Sequence, residues 1–271
     1  MKYSIQTLRQ RKNDHSKFSV VASYDASFTA AINQAEIEVI LVGDSLGMVV
    51  QGQSSTVPVT IEQMVYHTEA VARGNACGAS QALVIAYMPF MSYANTEDAL
   101  ANAAKLMRAG ANMVKLEGGA WLADTTAKLV ECGIPVCAHI GLTPQSVNKL
   151  GGYKVQGRSD DQQQQLLNDA KALDKAGADF IVLECIPKSL AAEITQHTDF
   201  STIGIGAGCD TDAQVLVCYD MLGLSSSPAK FVKNFLAESG SSQTPSIVNA
   251  FIAYKQAVEN SSYPAPEHEY Q

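Results

Sequence analysis

The chain has 271 residues, 46% apolar and 17% charged, with a formal net charge of −8 at pH 7. This balance excludes a disordered chain and fits a globular protein with a sizeable core. The acidic surplus excludes a nucleic-acid partner, which demands a basic face, and no apolar run approaches the roughly 20 residues that span a membrane.

The opening residues, MKYSIQTLRQRKNDHSKF, are polar and lack the apolar segment of a secretory leader. The six cysteines (Cys77, Cys132, Cys137, Cys185, Cys209, Cys218) form no C-x-x-C pair, and several lie in apolar runs, where a thiol behaves as a small hydrophobe. A reduced, cytoplasmic protein is expected, with no catalytic cysteine.

In chain order, residues 4–15 read as a helix within an N-terminal extension, residues 1–17. Strands are expected at 18–25 (FSVVASYD) and 39–45 (VILVGDS), then a helix at 60–74 with Thr60 as N-cap. A strand at 82–87 (ALVIAY) precedes a helix at 95–110, with Asn95 or Thr96 to cap it, acids in its first turn and Gly110 to end it. Strands at 113–119 (MVKLEGG) and 134–140 (IPVCAHI) follow. GGYKVQGR, 151–158, reads as a flexible loop over the mouth, with Lys154 and Arg158 able to meet an anion, and 159–178 as a helix with a solvated glutamine face. Strands at 180–185 (FIVLEC), 201–208 (STIGIGAG) and 215–222 (VLVCYDML) bring the count to eight. AKFVKNFLAESG and PSIVNAFIAYKQAVENS read as C-terminal helices, and residues 260–271 as a mobile tail.

The strands are continuous apolar runs with little alternation, as parallel strands covered on both faces require. RAGANMVKLE (108–117) and KAGADFIVLE (175–184) repeat one plan: helix end, glycine, turn, strand, glutamate. Eight such units point to an α/β fold, a (β/α)8 TIM barrel forming a single domain over residues 1–271, with extra N-terminal and C-terminal helices. A doubly wound sheet is disfavoured, because GIGAG lacks G-x-G-x-x-G and comes late in the chain. Helices outside the barrel point to oligomerisation.

In a barrel, chemistry sits at the C-terminal strand ends. Those ends carry Asp25, Asp44 with Ser45, Tyr87, Lys115 with Glu117, His139, Glu184 and Asp220. Lys115 and Glu117 are two apart and share a face, so they form either an internal salt bridge or part of a site; ions are costly to bury otherwise. Asp44 and Glu117 are oxygen donors from separate strands, a set suited to Mg²⁺, although Asp44 could equally be a cap. Glu184 ends an apolar run, and an acid in such surroundings suits a general base unless a lysine pairs with it. His139 is either a hydrogen-bond donor in the site or a structural histidine, and His67 reads as structural. GDSLG, 43–47, matches the serine-hydrolase elbow, but only one strand precedes it and no oxyanion loop lies upstream.

VILVGDSLGMVVQGQSSTVPVT, HIGLTPQSVNKLGGYKVQGR, VLECIP and GIGAG closely resemble the ketopantoate hydroxymethyltransferase family, and the resemblance runs from about residue 4 to the tail. It implies a (β/α)8 barrel of the phosphoenolpyruvate/pyruvate superfamily, cytoplasmic, Mg²⁺-dependent and a homo-oligomer, usually a decamer. The implied reaction adds a hydroxymethyl group from 5,10-methylenetetrahydrofolate to 3-methyl-2-oxobutanoate through a metal-stabilised enolate. On this resemblance Asp44 and Glu117 hold the metal, and Asp44, Ser45, Lys115 and His139 meet the keto acid. Glu184 is the base. A related Mg²⁺-dependent lyase or aldolase on another 2-oxo acid is the alternative.

The chain departs from the family pattern at one place. Where the family has an aspartate ligand before Met-Pro-Phe, this chain has Tyr87, expected to line the substrate site. A phenol is neutral at pH 7 and a poor Mg²⁺ ligand. Three accounts follow: weak metal binding through Asp44 and Glu117, an inactive scaffold, or a substitution particular to this chain.

Overall fold

A computed structural model describes residues 2–238 and 246–270. Eight parallel strands close into a barrel in sequential order: β1 (Phe18–Ala22), β2 (Val39–Val42), β3 (Leu83–Tyr87), β4 (Met113–Lys115), β5 (Val136–Gly141), β6 (Phe180–Glu184), β7 (Ser201–Ile205) and β8 (Ala213–Val217). The barrel expected from the sequence is therefore observed. The apolar runs become strands because both faces are covered, and every residue of β1 to β4 is buried.

Helices Ile61–Ala76, Thr96–Arg108 and Asp160–Lys175 lie where caps and periodicity place them, with side chains of Thr60, Asn95 and Ser159 accepting from backbone N–H groups of the first turn. Several expected ends shift. β7 stops at Ile205 because Gly206 takes φ 61°, a left-handed turn at no steric cost. A turn, not a helix, joins β7 to β8. β8 begins at Ala213, and Cys218–Met221 is helical, so Asp220 stands on a helical turn rather than on a strand. Of AKFVKNFLAESG only Phe235–Glu238 is helical among the described residues; residues 239–240 lie outside them.

The helix Ile5–Asn13 closes the end opposite the strand C-termini. Arg11 reaches the fully buried Glu38 at 3.1 Å, Lys12 reaches Asp212 at 3.1 Å and Arg9 reaches Asp179 at 3.5 Å. Glu38 also accepts from the backbone N–H of Ser19 at 3.0 Å and its hydroxyl at 2.5 Å. Charges are thus satisfied at the closed end, which leaves the other end free for a site.

Helix Ile247–Glu259 packs across β1. The hydroxyl of buried Tyr254 donates to the Gln214 carbonyl at 2.7 Å, with the Val20 carbonyl 3.1 Å away, tying the β8–β1 seam. Tyr254→Phe is expected to cost about 1–2 kcal/mol in urea unfolding, the penalty of stranding buried carbonyls.

Residues 260–270, expected to be mobile, are packed down. Tyr263 is buried against Phe235 and Tyr254, and its hydroxyl donates to the Phe231 carbonyl at 2.6 Å. Glu269 is buried and pairs with Lys188 at 2.9 Å. A short polar stretch hides these two anchors from composition alone. Among the described residues no helix is long and apolar enough to cross a membrane.

Candidate active site

A cavity of about 420 Å³ opens at the C-terminal strand ends, and Asp44, Ser45, Tyr87, Lys115, His139 and Glu184 all line it. Glu117 does not line it; it lies behind Tyr87.

Strand register assembles the cluster. Tyr87 of β3 pairs with Lys115 of β4, so their side chains leave the barrel wall side by side. The Lys115 ammonium sits 3.4 Å from the centroid of the Tyr87 ring and 2.8 Å from His139 Nδ1. The Tyr87 hydroxyl donates to Glu117 Oε1 and lies 2.9 Å from His139 Nδ1. His139 Nε2 lies 3.2 Å from Glu184 Oε2. With Nδ1 accepting from Lys115, Nε2 carries the hydrogen, close to Glu184 but without a well-aligned hydrogen bond to it.

Gln145 joins the acids. Its side-chain N–H donates to Asp44 Oδ2 at 2.8 Å and to the Met88 carbonyl at 3.0 Å, and its backbone N–H donates to Glu117 Oε2 at 3.0 Å. The Tyr93 hydroxyl donates to Gln145 Oε1 at 2.5 Å. Sequence reasoning missed both residues. Gln145 lies within HIGLTPQSVNKLGGYKVQGR and Tyr93 between an expected strand and an expected helix, but a neutral side chain in a loop gives no signal of charge or period.

Burial and then the Glu117 charge push Asp44 up to about 7. Burial also pushes the Glu117 carboxyl up and the Lys115 ammonium down, each opposed by the other's charge. Burial, then Glu117 and Asp44, push the Tyr87 phenol well above its ordinary range, so it keeps its proton.

Burial and then Lys115 push His139 down from 6.5 to about 4. The unfolded chain therefore binds this proton first as the pH falls. The contribution to stability is full above pH 6.5 and is lost through pH 4, about 3 kcal/mol in all. His139→Gln is expected to lack that loss; urea unfolding of both proteins from pH 7 to pH 4 measures the difference.

Other expected residues stand outside this hydrogen-bonded network. Asp25 caps helix Ala26–Gln34, accepting from the N–H groups of Ser27 and Phe28. His67 Nδ1 meets the Tyr24 carbonyl at 2.8 Å. The Ser45 hydroxyl lies 2.7 Å from the Tyr24 hydroxyl, a neutral partner unlike the base of a serine hydrolase. Asp220 lines the cavity. Lys154 and Arg158 line a second, outer cavity of about 610 Å³ with Tyr153, Phe231 and Tyr270. Glu184, Tyr153, Ala229 and Phe231 border both cavities.

Residues 2–266 match the family model described as ketopantoate hydroxymethyltransferase. The chain is 56% identical over 269 residues to the 3-methyl-2-oxobutanoate hydroxymethyltransferase of Alcanivorax borkumensis, covering 99% of each chain. It is also 56% identical to the enzyme of that name from Marinobacter nauticus, covering 99% of this chain and 98% of the other. Among solved structures it shares its fold with 2,3-dimethylmalate lyase, described as a PEP mutase/isocitrate lyase superfamily member, at a TM-score of 0.58 and 16% identity, covering 96% of this chain and 98% of that one.

Proposed function

The chain belongs to the ketopantoate hydroxymethyltransferase family, and from that premise we propose that it makes ketopantoate from 3-methyl-2-oxobutanoate, with 5,10-methylenetetrahydrofolate as one-carbon donor. The observation that carries the reading is Glu184: it faces the inner cavity beside neutral His139 and also borders the outer cavity. One carboxylate thus reaches both the place for a small keto acid and the place for its donor.

The keto acid lies in the inner cavity. The Lys115 charge attracts its carboxylate, and the Ser45 and Tyr87 hydroxyls and Asp44 line its position. Glu184 takes the C3 proton, with His139 Nε2 lying 3.2 Å from its carboxylate. The resulting enolate carbon attacks the methylene group carried by the folate. Water supplies the hydroxyl of the product, and tetrahydrofolate leaves. The family resemblance implies Mg²⁺ on Asp44 and Glu117. The donors present do not fit it, because Tyr87 holds one oxygen of Glu117 and a neutral phenol is a poor Mg²⁺ ligand.

We place the folate in the outer cavity, its rings against Tyr153, Phe231 and Tyr270 and its glutamate carboxylates toward Lys154 and Arg158. The double variant Lys154→Ala/Arg158→Ala is expected to raise KM for methylenetetrahydrofolate about three- to tenfold with kcat little changed, as loss of uniform binding does. The protein is a cytoplasmic homo-oligomer in this reading, decameric as the family resemblance implies. Mass-spectrometric detection of ketopantoate from the two substrates tests the function. No product, with or without added Mg²⁺, would overturn it.

A further inference from the structure

The place where the family resemblance puts a metal is built differently in this chain. Tyr87 stands between the cavity and Glu117, so that the cavity is lined by the phenol and not by the acid. His139 Nδ1 has one lone pair, which Lys115 fills at 2.8 Å, so the single phenolic hydrogen goes to Glu117 Oε1. Glu117 Oε2 is held by the Gln145 backbone N–H, and Asp44 Oδ2 by the Gln145 side chain. Glu117 is thus tied at both oxygens by neutral donors, and Asp44 at one. A hard cation needs anionic or carbonyl oxygens turned toward it, and here a hydroxyl hydrogen and a lysine ammonium occupy that side.

Resting on the function proposed above, we propose that this site takes no resident divalent cation between Asp44 and Glu117, and that the Tyr87 hydroxyl, backed by Lys115, supplies the positive end that steadies the enolate oxygen. In this step the C3–H bond breaks and its proton goes to Glu184. The C–H electron pair becomes the C2=C3 bond, and the carbonyl π pair moves onto the keto oxygen. That oxygen accepts a hydrogen bond from Tyr87, which keeps its proton. Rotation about the phenolic C–O bond carries the hydrogen from Glu117 toward the substrate oxygen. Lys115, over the ring face, strengthens the phenol as a donor and offsets the charge that develops.

Two measurements on the full chain, stripped with EDTA, test this. Mn²⁺ alone is titrated into the wild type, Asp44→Asn, Tyr87→Asp and Tyr87→Asp/Asp44→Asn, with bound ion read by electron paramagnetic resonance. Loss of the C3 proton of 3-methyl-2-oxobutanoate in D₂O is followed by NMR for the wild type and Tyr87→Phe, in EDTA and in Mg²⁺. The wild type is expected to show no stoichiometric Mn²⁺. Tyr87→Asp should gain affinity by about tenfold or more and lose it again with Asp44→Asn. Exchange should proceed in EDTA and fall roughly 10²-fold in Tyr87→Phe.

Stoichiometric Mn²⁺ on the wild type that Asp44→Asn abolishes would overturn the cation half, and needs no variant at Tyr87 to fold. Exchange that requires Mg²⁺ would overturn the whole inference and leave the proposed function standing. Absence of exchange and of product under every condition would overturn both the function and the role of Tyr87.

Discussion

Glu184→Gln is expected to lower kcat for ketopantoate formation by roughly 10²–10⁴, the usual worth of a positioned general base. Glutamine keeps the shape and can still meet His139 Nε2, which lies 3.2 Å from the acid oxygen. It cannot accept the C3 proton. Binding of the keto acid should survive, because Lys115 and Ser45 remain on the cavity wall. KM should therefore move far less than kcat. Loss of C3–H exchange in D₂O, followed by NMR, would place the defect at proton removal. Unchanged kcat in Glu184→Gln would remove Glu184 from that role.

Gly141→Ala is expected to be the most damaging single methyl in the barrel, costing about 2–5 kcal/mol in urea unfolding. Gly141 ends β5 with φ 92°, where an L side chain is strained. Its added Cβ would meet the Glu184 carbonyl oxygen at 2.3 Å and Ile186 Cγ2 at 2.8 Å. That carbonyl is fixed backbone, paired with the N–H of Leu142 at 2.8 Å. Relief of the clash must push β6 away just where Glu184 is held, since Gly141 and Glu184 are register partners. Activity per folded molecule should fall as well, which circular dichroism combined with initial rates would separate from unfolding. A near-neutral Gly141→Ala would mean that the β5–β6 end is far softer than its hydrogen bonds imply.

Much of this molecule is legible before folding. Apolar runs that end in an acid or a histidine mark the C-terminal ends of parallel strands, and in a barrel those ends share one mouth. Asp44, Lys115, His139 and Glu184 are found at one cavity for that reason. The caps Thr60, Asn95 and Ser159 likewise mark where helices begin, through local bonds that need no tertiary partner. Local patterns fare worse where a run of apolar residues has no turn signal: VLVCYDML reads as one strand, yet its second half is a helical turn carrying Asp220.

By itself, the sequence determined the class of fold, the family and the set of charged groups at the mouth, because hydrophobic period and strand-end chemistry are local properties. Only the tertiary structure decided that Tyr87 faces inward, under Lys115 and over Glu117. That depends on the pairing of β3 with β4, and a register between strands is written in neither strand alone. The same holds for Gln145, whose worth lies in bridging Asp44 and Glu117 across residues far apart in the chain. It holds too for the tail, which docks because Glu269 meets Lys188 and Tyr263 finds Phe235 and Tyr254. Long-range partners convert neutral or exposed-looking residues into fixed parts of the fold, and no window of sequence contains both partners.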